Sequence, residues 1–220
     1  MIQGAGRKVF FAAVLSVALG LVAWGLMPRQ TASPVDARQK AAALSPLARE
    51  SVSLLGPSLR GVYLGMTQPE LQRARPRCVR QKRADEPAYL MLEEALPSNE
   101  RVLYGIDSTS LTLAKVQIAG KLEAVDAVEG RVATMQGRYG PPTGVFDCPM
   151  VPGQLPTRRF TYQRSALGVM DSYLLIGDQV AVTLYVAPLR VLRASLTMAQ
   201  CAPTPADRLA RFPAVPLPAK

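Results

Sequence analysis

Residues 111–142 read LTLAKVQIAGKLEAVDAVEGRVATMQGRYGPP. The first part, 111–119, is rich in Leu, Val and Ile, which fits a strand. Gly120-Lys121 then reads as a hairpin turn, with 122–125 returning as a short strand. At Asp126 the period changes. Asp126-Ala127-Val128-Glu129 has the spacing of a capping box, and Val125, Val128, Val132, Met135 and Tyr139 recur at three and four residues, an apolar helix stripe. Gly140 supplies the C-cap and Pro141-Pro142 the stop.

The same alternation extends outward. Upstream, Thr67-Gln68-Pro69-Glu70 is another capping box, opening a short helix that must stop near Arg75, before Pro76. Segments 89–96 and 101–106 read as strands around a Pro97-Ser98-Asn99 turn. Downstream, 158–164 reads as a strand with Phe160 and Tyr162 on one face. Segments 172–176 and 179–187 flank a tight Gly177-Asp178 turn, and 191–201 alternates Leu192, Ala194, Leu196 and Met198 as a terminal strand. Helix, strands, helix, strands predicts an α+β fold: an antiparallel sheet with two helices packed on one face, spanning 61–201. Residues 28–60, with Pro28, Pro34, Pro46 and Pro57, read as a linker with room for a short amphipathic helix at 36–43. Residues 202–220 read as a Pro-rich tail.

Ahead of all this lies VFFAAVLSVALGLVAWGLM, residues 9–27, a 19-residue run without a charge. As a helix it reaches roughly 28 Å, close to a bilayer's hydrocarbon thickness. It exceeds the usual core of a cleaved signal, and its best cleavage site, Ala23-Trp24-Gly25, carries a bulky centre. An uncleaved transmembrane anchor over 1–27 is the preferred reading. Arg7 and Lys8 lie before the run, and Arg29, Arg38 and Lys40 after it, so the positive-inside count nearly ties. The short N-terminal tail and the cysteines that follow favour a periplasmic domain on a bacterial inner membrane. Ala12, Ser16 and Gly20 form a small-residue stripe on which another helix can pack, with Trp24 at the membrane interface.

Composition excludes much chemistry. The chain has 26 Lys and Arg against 16 Asp and Glu, a net charge of +10, which favours anionic lipid or acidic protein partners over nucleic acid for an exported domain. It has no histidine, which removes the commonest catalytic triads and zinc sites. Glu93 and Glu94 are adjacent, so on a strand they face opposite ways. Asp171 and Asp178 read as turn residues, and Ser165 and Ser172 lack a base. No catalytic, metal, cofactor or small-molecule site is expected. Cys78, Cys148 and Cys201 form no CxxC pair. In an oxidising compartment they suggest one disulfide, with Cys148–Cys201 favoured, Cys78 with either partner the alternative, and three buried thiols a third reading.

Val62-Tyr63-Leu64-Gly65-Met66-Thr67-Gln68-Pro69-Glu70-Leu71 resembles the Gly-Met-Thr helix start of the SmpA/OmlA family, and Tyr139-Gly140-Pro141-Pro142-Thr143 resembles its helix exit. That family comprises small outer-membrane-assembly lipoproteins, similar in plan to β-lactamase-inhibitor-protein-like domains. The resemblance implies a non-catalytic, protein-binding two-layer domain. This chain lacks the family's lipid-attachment cysteine.

Arg73, Arg75, Arg77, Arg80, Lys82 and Arg83 place six cations in eleven residues, a candidate docking patch for anionic lipid or an acidic protein surface. The expectation is therefore a membrane-anchored accessory or scaffolding subunit that meets other membrane-protein subunits. A free-standing periplasmic binding, inhibitor or envelope-assembly protein is the alternative.

Overall fold

In a computed structural model of the chain, residues 44–82, 86–148, 157–206 and 209 are described. The chain divides into Met1–Ala43 and Leu44–Lys220, and every described residue lies in the second unit. The run 9–27, with Ala12, Ser16, Gly20 and Trp24, is outside the described residues. No helix among those described is long and apolar enough to cross a membrane.

The described chain is mostly antiparallel sheet with a few helices. In order it forms α1 (Pro46–Leu55), a 3-10 turn (Pro57–Leu59), α2 (Gln68–Ala74), β1 (Val79–Gln81), β2 (Tyr89–Ala95), β3 (Arg101–Asp107) and β4 (Leu113–Ala124). There follow α3 (Ala127–Tyr139), β5 (Gly144–Cys148), β6 (Thr157–Arg164), β7 (Leu167–Ile176), β8 (Gln179–Pro188), α4 (Leu189–Met198) and β9 (Ala202–Pro203). The strands make one sheet in the order β1-β2-β3-β4-β8-β7-β6-β5-β9. Two antiparallel runs, β2-β3-β4 and β6-β7-β8, meet where β4 pairs with β8.

Adjacent residues on a strand point to opposite faces, which separates the layers. Val169 joins the main core with Leu92, Tyr104, Val116 and Val186, and α1, α2 and α3 add Leu54, Leu71 and Met135 to it. Its neighbour Met170 joins a second cluster with Ala187, Leu192 and Leu196 of α4. Three helices therefore cover one face and α4 covers part of the other. The expected arrangement of two helices on one face is corrected accordingly. Gly168 makes room for α4, because a Cβ there would lie 2.6 Å from Leu192 Cδ1 and 2.9 Å from Leu189 Cδ2.

Three boundaries also differ. The segment read as linker contains α1, with Leu54, Leu55 and Leu59 at most 3% exposed, so the folded unit starts well before Gly61. Pro46 stands at the helix start, where a missing N–H costs nothing, and Ser45 Oγ caps Ala48 N–H at 3.2 Å. Buried Ser51 then accepts Leu64 N–H at 2.9 Å, stitching α1 to the next loop. Gly120-Lys121 is not a turn. β4 runs straight through it, with an irregularity in its pairing with β8 between Ala119 and Leu122, a bulge rather than a reversal. The segment 191–201 is largely helix, not strand, because Leu192 and Leu196 are also four apart and both face the sheet.

Other punctuation stands as read. Glu70 accepts Thr67 N–H at 2.8 Å at the start of α2. Gly140 ends α3 with φ of 85°, a left-handed position that suits glycine. At the start of α3, however, the Asp126 side chain makes no cap hydrogen bond.

Candidate functional site

Pro76 cannot continue α2, so the helix closes at Arg75, whose N–H caps Leu71. This turn aims the Arg75 side chain back towards β2. Alternation along β2 sends Glu93 outward, 3.5 Å from Arg101 Nη1, and Glu94 inward to 5% exposure. Arg75 Nε donates to Glu94 Oε1 at 2.8 Å, and Nη2 donates to the same oxygen. The Tyr104 hydroxyl donates to Oε1 at 3.3 Å, and Cys78 Sγ lies 3.5 Å from Oε2. A buried carboxylate is thus surrounded by donors from the C-cap of α2, from β3 and from the loop before β1.

The electrostatics follow from burial. The hydrogen bond to Glu94 raises the Arg75 pKa despite partial desolvation. Burial, then the nearby carboxylate, raises Tyr104. Burial and then Glu94 push the Cys78 thiol up to about 12, from an ordinary 9.0. Native Cys78 should therefore be alkylated at pH 8 about 100- to 1000-fold more slowly than in the urea-unfolded chain, since the thiolate is the reactive form. Equal rates would contradict this environment. The sign for stability follows: a raised thiol contributes fully below pH 9.0 and loses that contribution as pH climbs towards 12.

Beside this cluster lies an open cleft of about 560 Å³, lined by Ser58, Arg75, Arg77, Glu94, Leu96 and Pro97 among others. The basic run divides around it. Arg75 turns inward and is spent on Glu94, so it leaves the docking patch. Arg73, Arg77, Arg80 and Lys82 stay exposed, and none has an ion pair among the described residues. Arg83 lies outside the described residues. Arg80 sits on β1, the edge strand of the sheet, beside Val79 at 56% exposure. Of the six cations, Arg77 therefore lines the cleft, Arg80 lies on the edge strand, Lys82 directly follows that strand, and Arg73 is exposed on α2.

A second buried carboxylate corrects the reading of Asp171 as a turn residue. It lies within β7, fully buried, where Arg131 of α3 donates from Nε to Oδ2 and from Nη2 to Oδ1, each at 3.2 Å. The Tyr173 hydroxyl donates to the same group. Burial, then this carboxylate, raises the Tyr173 pKa. Near the far edge, Arg158 forks onto Asp147 at 2.7 Å and 3.2 Å across β6 and β5. None of these pairings is legible from residue spacing in the sequence. Alternation in Tyr89–Ala95 could have placed Glu94 on the face of Leu90 and Leu92, but nothing local identifies Arg75 as its partner.

Cys148 and Cys201 are joined, with Cα atoms 4.0 Å apart, and Cys78 is the free thiol. Cys201 follows α4 rather than ending a strand. No group of three or more His, Cys, Asp or Glu among the described residues is placed to hold a metal ion.

Comparison of the chain with family models, curated proteins and solved structures finds no match.

Proposed function

We propose that this chain is a non-catalytic, membrane-anchored accessory or scaffolding subunit of a larger membrane complex. Its folded unit docks on a partner's anionic surface through the edge bearing Arg73, Arg77, Arg80 and Lys82. The observation carrying this reading is the contrast in charge pairing. Glu94 and Glu93, the carboxylates of the adjoining strand, face Arg75 and Arg101, while four exposed cations beside them have no ion pair among the described residues. Unpaired cations on a rim steer encounter with an acidic surface and fix its register. In this reading residues 9–27 span a bacterial inner membrane, the folded unit is periplasmic, and Ala12, Ser16 and Gly20 pack against a partner helix. The partners are other membrane-protein subunits, with anionic lipid at their margin. The reading includes no cofactor, nucleic acid or small-molecule substrate.

The double variant Arg77→Glu/Arg80→Glu tests it. Both side chains are exposed, so thermal unfolding should be unchanged while recovery of partner subunits with the extracted protein falls about tenfold or more. Undiminished co-purification at physiological salt would reject the docking edge.

A further inference from the structure

β6 reads TRRFTYQR, and alternation sends its two adjacent arginines to opposite faces of the sheet. Arg158 meets Asp147. Arg159 lies on the other face, opposite Phe146 of β5 and Ser172 of β7, and Phe146 packs against the cluster beneath α4. The Nε and Nη1 atoms of Arg159 are buried, and neither has a hydrogen-bond partner among the described residues. The acids nearest in register are already engaged. Asp147 and Asp171 stand opposite Arg158 and Phe160, hence on the far face, where Arg158 and Arg131 hold them. Around Arg159 the strands place Phe146, Thr161, Met170, Ser172, Thr183 and Tyr185, none of them acidic. Neither α4, LRVLRASLTM, nor the stretch 149–156, PMVPGQLP, contains an acidic residue.

We propose that Arg159 anchors a binding site for a small organic carboxylate on the α4 face of the sheet. A guanidinium buried without a counter-charge is costly, so a group that supplies the charge is bound favourably. Burial lowers the Arg159 pKa, and the one group opposing that shift is Tyr185, which leaves the charge uncompensated by any acid. The planar fork of arginine matches the two oxygens of a carboxylate. A single isolated guanidinium balances a single negative charge, which suits a monocarboxylate better than a phosphate dianion. Phe146, Met170 and the Tyr185 ring offer apolar surface to the body of such a ligand. Arg159 as a whole is half-buried, so the site is not sealed in the core. It is also separate from the basic edge, since β6 stands six places from β1 in the sheet.

The test is thermal unfolding of the full chain in detergent, with benzoate as probe and benzamide as its uncharged counterpart. Benzoate should raise Tm saturably, because it binds the folded state, and benzamide should not. Arg159→Met should abolish the benzoate shift and by itself raise Tm, since it removes an uncompensated charge while keeping the bulk. Arg159→Lys keeps the charge but not the fork, and should weaken benzoate binding about tenfold or more. If the Met variant does not fold, the Lys variant decides alone. No saturable shift with benzoate, an equal shift with benzamide, or a shift that survives both substitutions overturns the proposal. Tighter binding of inorganic phosphate than of benzoate overturns the ligand class. Loss of partner-subunit recovery in Arg159→Met, with no benzoate shift in the unsubstituted chain, would assign the carboxylate to a partner protein and overturn the small-ligand site. The proposal stands apart from the docking edge, so Arg77→Glu/Arg80→Glu should leave the benzoate shift intact, and its loss there would overturn the assignment to Arg159.

Discussion

Asp171→Ala is expected to destabilise the folded unit by about 3–5 kcal/mol, the usual cost of removing one partner from a buried ion pair. Asp171 is completely buried, and two groups depend on it: the Arg131 guanidinium and the Tyr173 hydroxyl. After truncation the hydroxyl has lost this acceptor in the interior, which alone costs about 1–3 kcal/mol. Among the described residues Arg131 then keeps one ion pair, with Glu123, 3.7 Å from Nη1. Because Arg131 is on α3 and Asp171 on β7, the pair fixes how that helix sits over the sheet. Asp171→Asn retains the shape and one acceptor, so its loss should be clearly smaller. Urea unfolding followed by circular dichroism measures both. Equal, sub-kcal/mol effects for the two variants would mean the pair orders nothing.

Replacing both disulfide cysteines, Cys148→Ser with Cys201→Ser, should cost a similar amount. Their separation of 53 residues gives a loop-closure contribution of about 4 kcal/mol. The bond ties the end of β5 to the residues just after α4. Within α4 only Leu192 and Leu196 are buried, while Met198 is 79% exposed, so the helix has few other holds on the sheet. The α4 amides should therefore lose exchange protection first when the bond is removed. A change below about 1 kcal/mol, with α4 protection intact, would show that packing alone holds the helix.

Local signals explain which parts of this fold were legible. The Thr67–Glu70 cap, the Gly177-Asp178 turn and the α3 stripe are encoded within a few residues each, and all three stand in the structure. The strand reading of 191–201 failed because Leu192, Ala194, Leu196 and Met198 alternate while Leu192 and Leu196 also fit a helix turn. Pro188, just before Leu189, is the helix-start signal that distinguishes the two. Gly120 reads as a turn in sequence, although a glycine within a β-rich run equally marks a bulge. At the candidate site the exposed cations were visible, but the fate of Arg75 was not. Its partner Glu94 lies 19 residues away, and only the turn forced by Pro76 and the face of β2 bring them together. Asp171 and Arg131, 40 residues apart, were hidden for the same reason.

The two buried carboxylates and the basic edge support one account. Glu94 and Asp171 are each held by an arginine and a tyrosine hydroxyl, an arrangement suited to rigidity. Arg73, Arg77, Arg80 and Lys82 are exposed and have no ion pair among the described residues, so a partner can meet them. The most direct test of the proposed subunit role is native mass analysis of the protein gently extracted from its membrane. The account predicts a stoichiometric assembly well above the 23.7 kDa of the chain, reduced to the single chain by Arg77→Glu/Arg80→Glu. A lone wild-type species at 23.7 kDa would contradict it and leave a free-standing envelope binding protein in its place.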